Sequence, residues 1–242
     1  MDFTVSLAGV NIGISSVYDT VYNMCGGYLT ENSADFTVKT DAFDIDFERE
    51  KAENEAKAEG RSYVDFPNGY LETLAVYRKI AVKLLDHGVF LMHGVALGLE
   101  GKAYLFTAPS GVGKTTHSRF WCDAYPGAFI INGDKPLIKV TEDGVYVCGT
   151  PWAGKEGQNT NVIMPLKAVC FLFRGKENEI KEVDFGSVFP LMIGQTYRPE
   201  NAEDMQKTLE LIKKTGERTK LFALHCNLDP DAARVAREGM EK

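Results

Sequence analysis

The run Ala108-Pro109-Ser110-Gly111-Val112-Gly113-Lys114-Thr115-Thr116 limits what this chain can fold into more than any other stretch. Before it, Tyr104-Leu105-Phe106-Thr107 is apolar and aromatic, which reads as a strand entering a loop. After it, residues 114–123 hold no Gly or Pro, so a helix can leave the loop. Strand, small-residue loop, Gly-Lys-Thr and helix together read as a phosphate-binding P-loop, with Ala108 where the first glycine usually stands. Small residues let backbone N–H groups wrap phosphates, and the helix N-terminus adds positive potential. On this reading Lys114 serves the β- and γ-phosphates and the Thr115 hydroxyl serves Mg²⁺. The bland competitor is a glycine-rich turn with a surface lysine. It does not explain why two glycines, a lysine and two threonines fall together.

Composition narrows the partners. The chain has 242 residues, enough for one large domain or two small ones with a real core. A net charge of −7 argues against general nucleic-acid binding, which needs a basic footprint. It does not argue against one nucleotide at a local electropositive loop. Five cysteines are widely spaced and form no CxxC pair, which fits a reduced, cytoplasmic setting better than structural zinc. No apolar run reaches membrane-spanning length, and no signal pattern is expected at the N-terminus. A homo-oligomer stays an open reading.

The periodicities give an α/β chain. Phe3, Val5 and Leu7 alternate, then Val10, Ile12 and Ile14, with another strand expected over 35–38. Residues 44–59 carry interleaved charges, read as a solvated helix or a mobile excursion. Asn68-Gly69 opens a helix that closes at Gly88. Strands are expected over 89–99 and 103–107, joined by Glu100-Gly101, and over 129–131. A hairpin follows around Glu142-Asp143-Gly144, then a strand over 168–173. Met205, Leu209 and Ile212 share a helical face ending before Gly216. A strand over 221–224 precedes a last helix opened by Asp229-Pro230. The expectation is one α/β domain over 1–242, a mixed sheet around the P-loop. Residues 1–88 form an N-terminal β-rich and helical extension, and 89–242 form the core.

Three features stand out as partners of the loop. Asp134 ends the apolar strand after it, where ligands of open α/β sheets lie, and is the candidate carboxylate for Mg²⁺ and for a proton. A turn aspartate is the alternative. His93 lies in Met92-His93-Gly94-Val95, and a period of two puts it on the face of Leu91 and Val95. It is therefore either a site histidine or a satisfied core one. Thr150-Pro151-Trp152-Ala153-Gly154-Lys155-Glu156-Gly157 is shaped to approach a ligand, with Lys155 for phosphate and Trp152 for stacking. A long connection with a packed Trp152 is the equal alternative. His87 and His117 read as surface or capping residues.

The order His93-Gly94, hairpin, P-loop, then Ile131-Asn132-Gly133-Asp134 resembles the catalytic domain of HPr kinase/phosphorylase, in the phosphoenolpyruvate carboxykinase-like class. Thr150-Pro151-Trp152-x-Gly154-Lys155 and Pro165-Leu166-Lys167-Ala168 are similar to small HPr-kinase-like proteins of unclear substrate. The likeness covers roughly residues 89–175. It implies an ATP- and Mg²⁺-dependent kinase acting on a hydroxyl, serine first, of a small protein, peptide or small molecule. Lys114 would clamp the phosphates, Thr115 and Asp134 would hold Mg²⁺, and His93 would lie near the transferring group. The chain departs from the pattern at Gly133, where the family commonly has a second acid, and in its N-terminal ninety residues. The chain is also too short for a complete carboxykinase. An ATP-binding regulatory module with reduced catalysis, and a dephosphorylating direction, remain as alternatives.

Overall fold

The protein is described from a computed structural model that covers residues 1–241. Contacts divide the chain into two compact units, Met1–Lys83 and Leu84–Lys242. The division falls a few residues before the boundary expected at 88/89, inside the last turn of a long helix.

The first unit is built on a three-stranded sheet. Strands β1 (Asp2–Leu7) and β2 (Val10–Ser15) form an antiparallel hairpin, and β3 (Phe36–Lys39) pairs parallel with β2. A short helix α1 (Asp19–Met24) lies between β2 and β3. The charged stretch is a helix, α2 (Ala42–Ala58), opened by a capping box between Asp41 and Asp44. Helix α3 (Asn68–Leu84) closes the unit, and its Glu72 is fully buried. That carboxylate accepts from Val17 N at 2.6 Å, Tyr18 N at 2.8 Å and Thr40 Oγ1 at 2.6 Å, so its burial is matched by three donors.

The second unit holds a nine-stranded mixed sheet. A 3-10 turn over 85–87 ends at Gly88 in the left-handed region, as expected. The strand expected over 89–99 is broken. It forms β4 (Val89–Leu91) and β5 (Val95–Leu99), which pair with different partners. Next come β6 (Lys102–Thr107), helix α4 (Lys114–Ala124) and β7 (Phe129–Asn132). The hairpin is β8 (Leu137–Val140) with β9 (Val145–Cys148). A long strand β10 (Ile163–Arg174) precedes β11 (Glu179–Glu182), α5 (Phe185–Gly194), α6 (Ala202–Arg218), β12 (Lys220–Cys226) and α7 (Asp231–Glu241). Helix α6 runs through Gly216 instead of ending before it. A Cβ there would sit 2.1 Å from the Phe185 ring, so the missing side chain lets α5 and α6 approach.

Strand direction decides where chemistry can gather. β10 runs parallel to β6 and β12, while β5 is antiparallel to both β6 and β7. The C-terminal ends of β6, β7, β10 and β12 therefore share one edge with the N-terminal end of β5. Side chains of the sheet alternate between two cores. Tyr104, Phe106, Cys170, Leu172 and Leu224 pack with α4 and α7 residues such as Trp121 and Met240. Ala103, Leu105, Val169, Phe171 and Leu221 pack with α5 and α6 residues such as Met192 and Ile212. With both faces covered, the sheet edge is the natural opening for a ligand.

Candidate active site

The loop 108–113 joins β6 to α4 at that edge. Gly111 and Gly113 have φ of 78° and 124°, which a side chain would strain, so the loop shape depends on its glycines. Lys114 is the first residue of α4 and is only 8% exposed. Its Nζ donates to Ala108 O at 2.7 Å and to Pro109 O at 3.4 Å, so the ammonium is folded back over its own loop. Burial pushes its pKa down, Asp134 pulls it back up, and Lys135 pushes it down again. The ammonium of Lys114 therefore shares a locality with Asp134 and Lys135. Thr115 stands exposed and Thr116 half-buried on the first turn of α4.

Asp134 follows β7 and is clamped by its neighbours. Asn132 is fully buried and acts as a hub. Its Oδ1 accepts from the backbone N–H of Asp134 at 2.9 Å and of Lys135 at 2.6 Å. Its Nδ2 donates to Thr150 O and Thr150 Oγ1, both at 2.9 Å, and to Trp152 O at 3.3 Å. The hub thus ties the end of β7 to the connection that starts at Thr150. Gly154, with φ of 73°, lies so close that a Cβ would be 2.9 Å from Asp134 Cβ.

The break between β4 and β5 brings His93 to this point. Gly94 N donates to Asp134 O at 2.9 Å, His93 N donates to Gln195 O at 2.6 Å, and Thr107 Oγ1 donates to His93 O at 2.7 Å. A Cβ on Gly94 would lie 2.8 Å from Phe106 O. Only glycine lets this crossing approach so closely. His93 Nε2 then lies 3.1 Å from Asp134 Oδ1, while Lys135 Nζ pairs with Asp134 Oδ2. Burial pushes the Asp134 carboxyl up, but His93 and Lys135 outweigh it and hold the pKa at about 2. Asp134 is therefore a carboxylate at any pH near neutrality.

Trp152 and Lys155 lie on the connection that reaches Asp134 at Gly154. Trp152 is 5% exposed, so its ring packs inside the protein and does not present a stacking face to solvent. Lys155 is exposed on the turn between Gly154 and Gly157, and its neighbour Glu156 pairs with Arg119 of α4 at 2.5 Å. His117 is not a surface or capping residue. It is 3% exposed, it packs against Phe106, and its Nε2 accepts from Trp121 Nε1 at 3.1 Å. Burial pushes its pKa down to about 4, so the ring is neutral. Asn132, Thr150 and Lys135 escaped the sequence reading. For Thr150 no local signal exists, because its bond to Asn132 spans eighteen residues, whereas Asn132 also bonds the N–H groups two and three residues on, as a turn asparagine does. Lys135 stands beside Asp134 in the sequence, where a lysine in a turn is ordinary.

No known family profile matches the chain, and no curated protein sequence matches it. Among solved structures, the HPr(Ser) kinase/phosphatase from Coxiella burnetii is a weak neighbour. It has 12% identity and a TM-score of 0.31, over 50% of this chain and 87% of that one. Among the described residues, no helix is long and apolar enough to cross a membrane. Nor do any three or more His, Cys, Asp or Glu of these residues cluster to hold a metal.

Proposed function

We propose that this protein is an ATP-dependent phosphotransferase that moves the γ-phosphoryl group to a hydroxyl. The acceptor would belong to a small protein, a peptide or a small molecule, with serine the first candidate. The observation that carries this reading is the meeting of three elements at one sheet edge. A glycine loop with Lys114 ends β6, an ionised Asp134 follows β7, and His93 precedes β5 at 3.1 Å from that carboxylate.

The donor set fits magnesium. Mg²⁺ takes hard oxygen ligands and commonly uses one or two carboxylates plus substrate phosphates, so a dedicated protein cage is not needed. The Asp134 carboxylate and the Thr115 hydroxyl are of that kind, and they would hold it. Bound there, the ion would neutralise charge on the phosphates.

The chain's own residues do the rest. Backbone N–H groups at 111–114 and the N-terminus of α4 bind the phosphates. Lys114 supplies a positive charge in a partly desolvated place, where it acts more strongly than in water. Asp134 accepts the proton of the attacking hydroxyl, and its low pKa keeps it in the accepting form. That low pKa also makes it a weak base, so positioning and charge carry more of the rate than proton transfer. His93 donates to Asp134 Oδ1 and holds the carboxylate's orientation.

A second reading has its own observation. Gly133 stands where the resembled family commonly has another acid, and a Cβ there would lie 3.1 Å from Ala153 O and 3.4 Å from Gln158 O. A site with one carboxylate suits a module that binds ATP and transfers phosphate poorly. Incubating γ-labelled ATP with an extract of the source cell and purified protein separates the two. The kinase reading expects a labelled product, formed at least about a hundredfold more slowly by Asp134→Asn. Near-normal turnover by that variant returns Asp134 to a turn residue. ATP binding without any labelled acceptor favours the regulatory module.

A further inference from the structure

Lys135 is placed with more care than a turn lysine requires. Its N–H is held by Asn132 Oδ1 at 2.6 Å, and its carbonyl oxygen accepts from Thr150 Oγ1 at 3.0 Å. Both Asn132 and Thr150 are fully buried, so the backbone of Lys135 is pinned to the core. Its side chain, 37% exposed, carries the ammonium to Asp134 Oδ2. Asp134 and Lys135 both perturb the Lys114 ammonium, so that charge lies near this pair as well. At Gly133 there is no side chain, and a Cβ there would lie 3.1 Å from Ala153 O. Two lysines and one carboxylate, with His93 beside them, thus gather at this strand end. Two ammonium groups close together suit a polyanion. A lysine is a compact charge on a flexible stem with three donors, able to leave a carboxylate for a phosphate without moving its backbone.

We propose that Lys135 is a second phosphate-binding cation of this site, acting together with Lys114. The proposal rests on the reading of loop 108–116 as a phosphate site and adds a residue that the loop motif does not contain. The rival role is simpler: Lys135 only neutralises Asp134, so that the carboxylate does not repel the phosphates. The two roles differ when Asp134 has no charge to neutralise.

Inorganic tripolyphosphate is the probe, titrated by calorimetry with EDTA present so that no divalent ion contributes. Six proteins are compared: wild type, Lys114→Met, Lys135→Met, Lys135→Arg, Asp134→Asn and the double variant Asp134→Asn/Lys135→Met. Melting temperatures confirm that each is folded at the temperature of measurement. A hydrogen bond to a charged group implies that Lys135→Met weakens binding roughly tenfold or more. The same loss should persist between Asp134→Asn and the double variant. Lys135→Arg should retain most of the affinity. If the loss disappears in the Asp134→Asn background, Lys135 only screens the carboxylate and the proposal is overturned. If Lys114→Met weakens binding and Lys135→Met does not, the proposal fails while the phosphate site stands. If wild type does not bind tripolyphosphate, or Lys114→Met binds it as well as wild type, the phosphate-site reading fails and takes the proposal with it.

Discussion

His117 shows what a single buried ring can do to acid stability. Its folded pKa of about 4 lies below the ordinary value of 6.5. The unfolded chain therefore takes up the proton first. The stability held by the neutral ring is complete above about pH 6.5 and is lost as pH falls towards 4. At about 1.4 kcal/mol per unit, the full loss is about 3 kcal/mol. His117→Gln keeps a side-chain acceptor near Trp121 but does not titrate. Urea unfolding at pH 7 and pH 4.5 should show wild type losing more stability than the variant; equal losses would mean that the ring is solvated. The residue was legible in principle. Lys114, His117, Ser118 and Trp121 are the buried positions of α4, spaced by three and four, so helical spacing from Lys114 and Trp121 puts His117 on the core face. Trp152 is the opposite case, since nothing in a Pro-Trp loop tells whether the ring faces in or out.

At the scale of elements, the break between β4 and β5 matters most. A period of two continues unbroken from Leu91 through His93 to Val95, so the pattern gave one strand and left His93 open between site and core. The structure turns the chain at Met92–Gly94 because β4 pairs with β8 while β5 pairs with β6 and β7. Pairing partners are long-range facts, and periodicity does not contain them. The glycine beside His93 was the local hint. A Cβ at Gly94 meets the Phe106 carbonyl at 2.8 Å, and a backbone atom cannot swing aside. Gly94→Ala should therefore cost about 1–3 kcal/mol, the usual price of overpacking. That lowers the melting temperature by roughly 2–10 °C for a unit of this size. It should also displace His93 from Asp134 and slow phosphate transfer in the fraction that stays folded. A thermal scan paired with the labelled-ATP assay checks both parts. An unchanged melting temperature would show that β5 and β6 are less tightly apposed at this crossing. The strand–loop–helix around Lys114 was legible because all its parts lie within about twenty residues.

For the molecule as a whole, the periodicities point to an α/β chain with the mixed sheet in its C-terminal part, and the nine-stranded sheet lies there. The two compact units meet in sequence at Lys83 and Leu84, inside α3, where no composition shift marks a boundary. All the proposed phosphate-site residues belong to the second unit. Hydrogen exchange with ATP and Mg²⁺ should therefore protect amides at 93–94, 108–116 and 132–135. Protection confined to residues 1–83 would place the nucleotide elsewhere. The central claim is narrower still: the loop carrying Lys114 binds the phosphates of a nucleotide. Calorimetry of ATP and adenosine with wild type and Lys114→Ala tests it most directly. Loss of a charged hydrogen-bonding partner should weaken ATP by roughly ten- to more than a hundredfold and leave adenosine unchanged. Equal ATP affinity in the two proteins would contradict the claim.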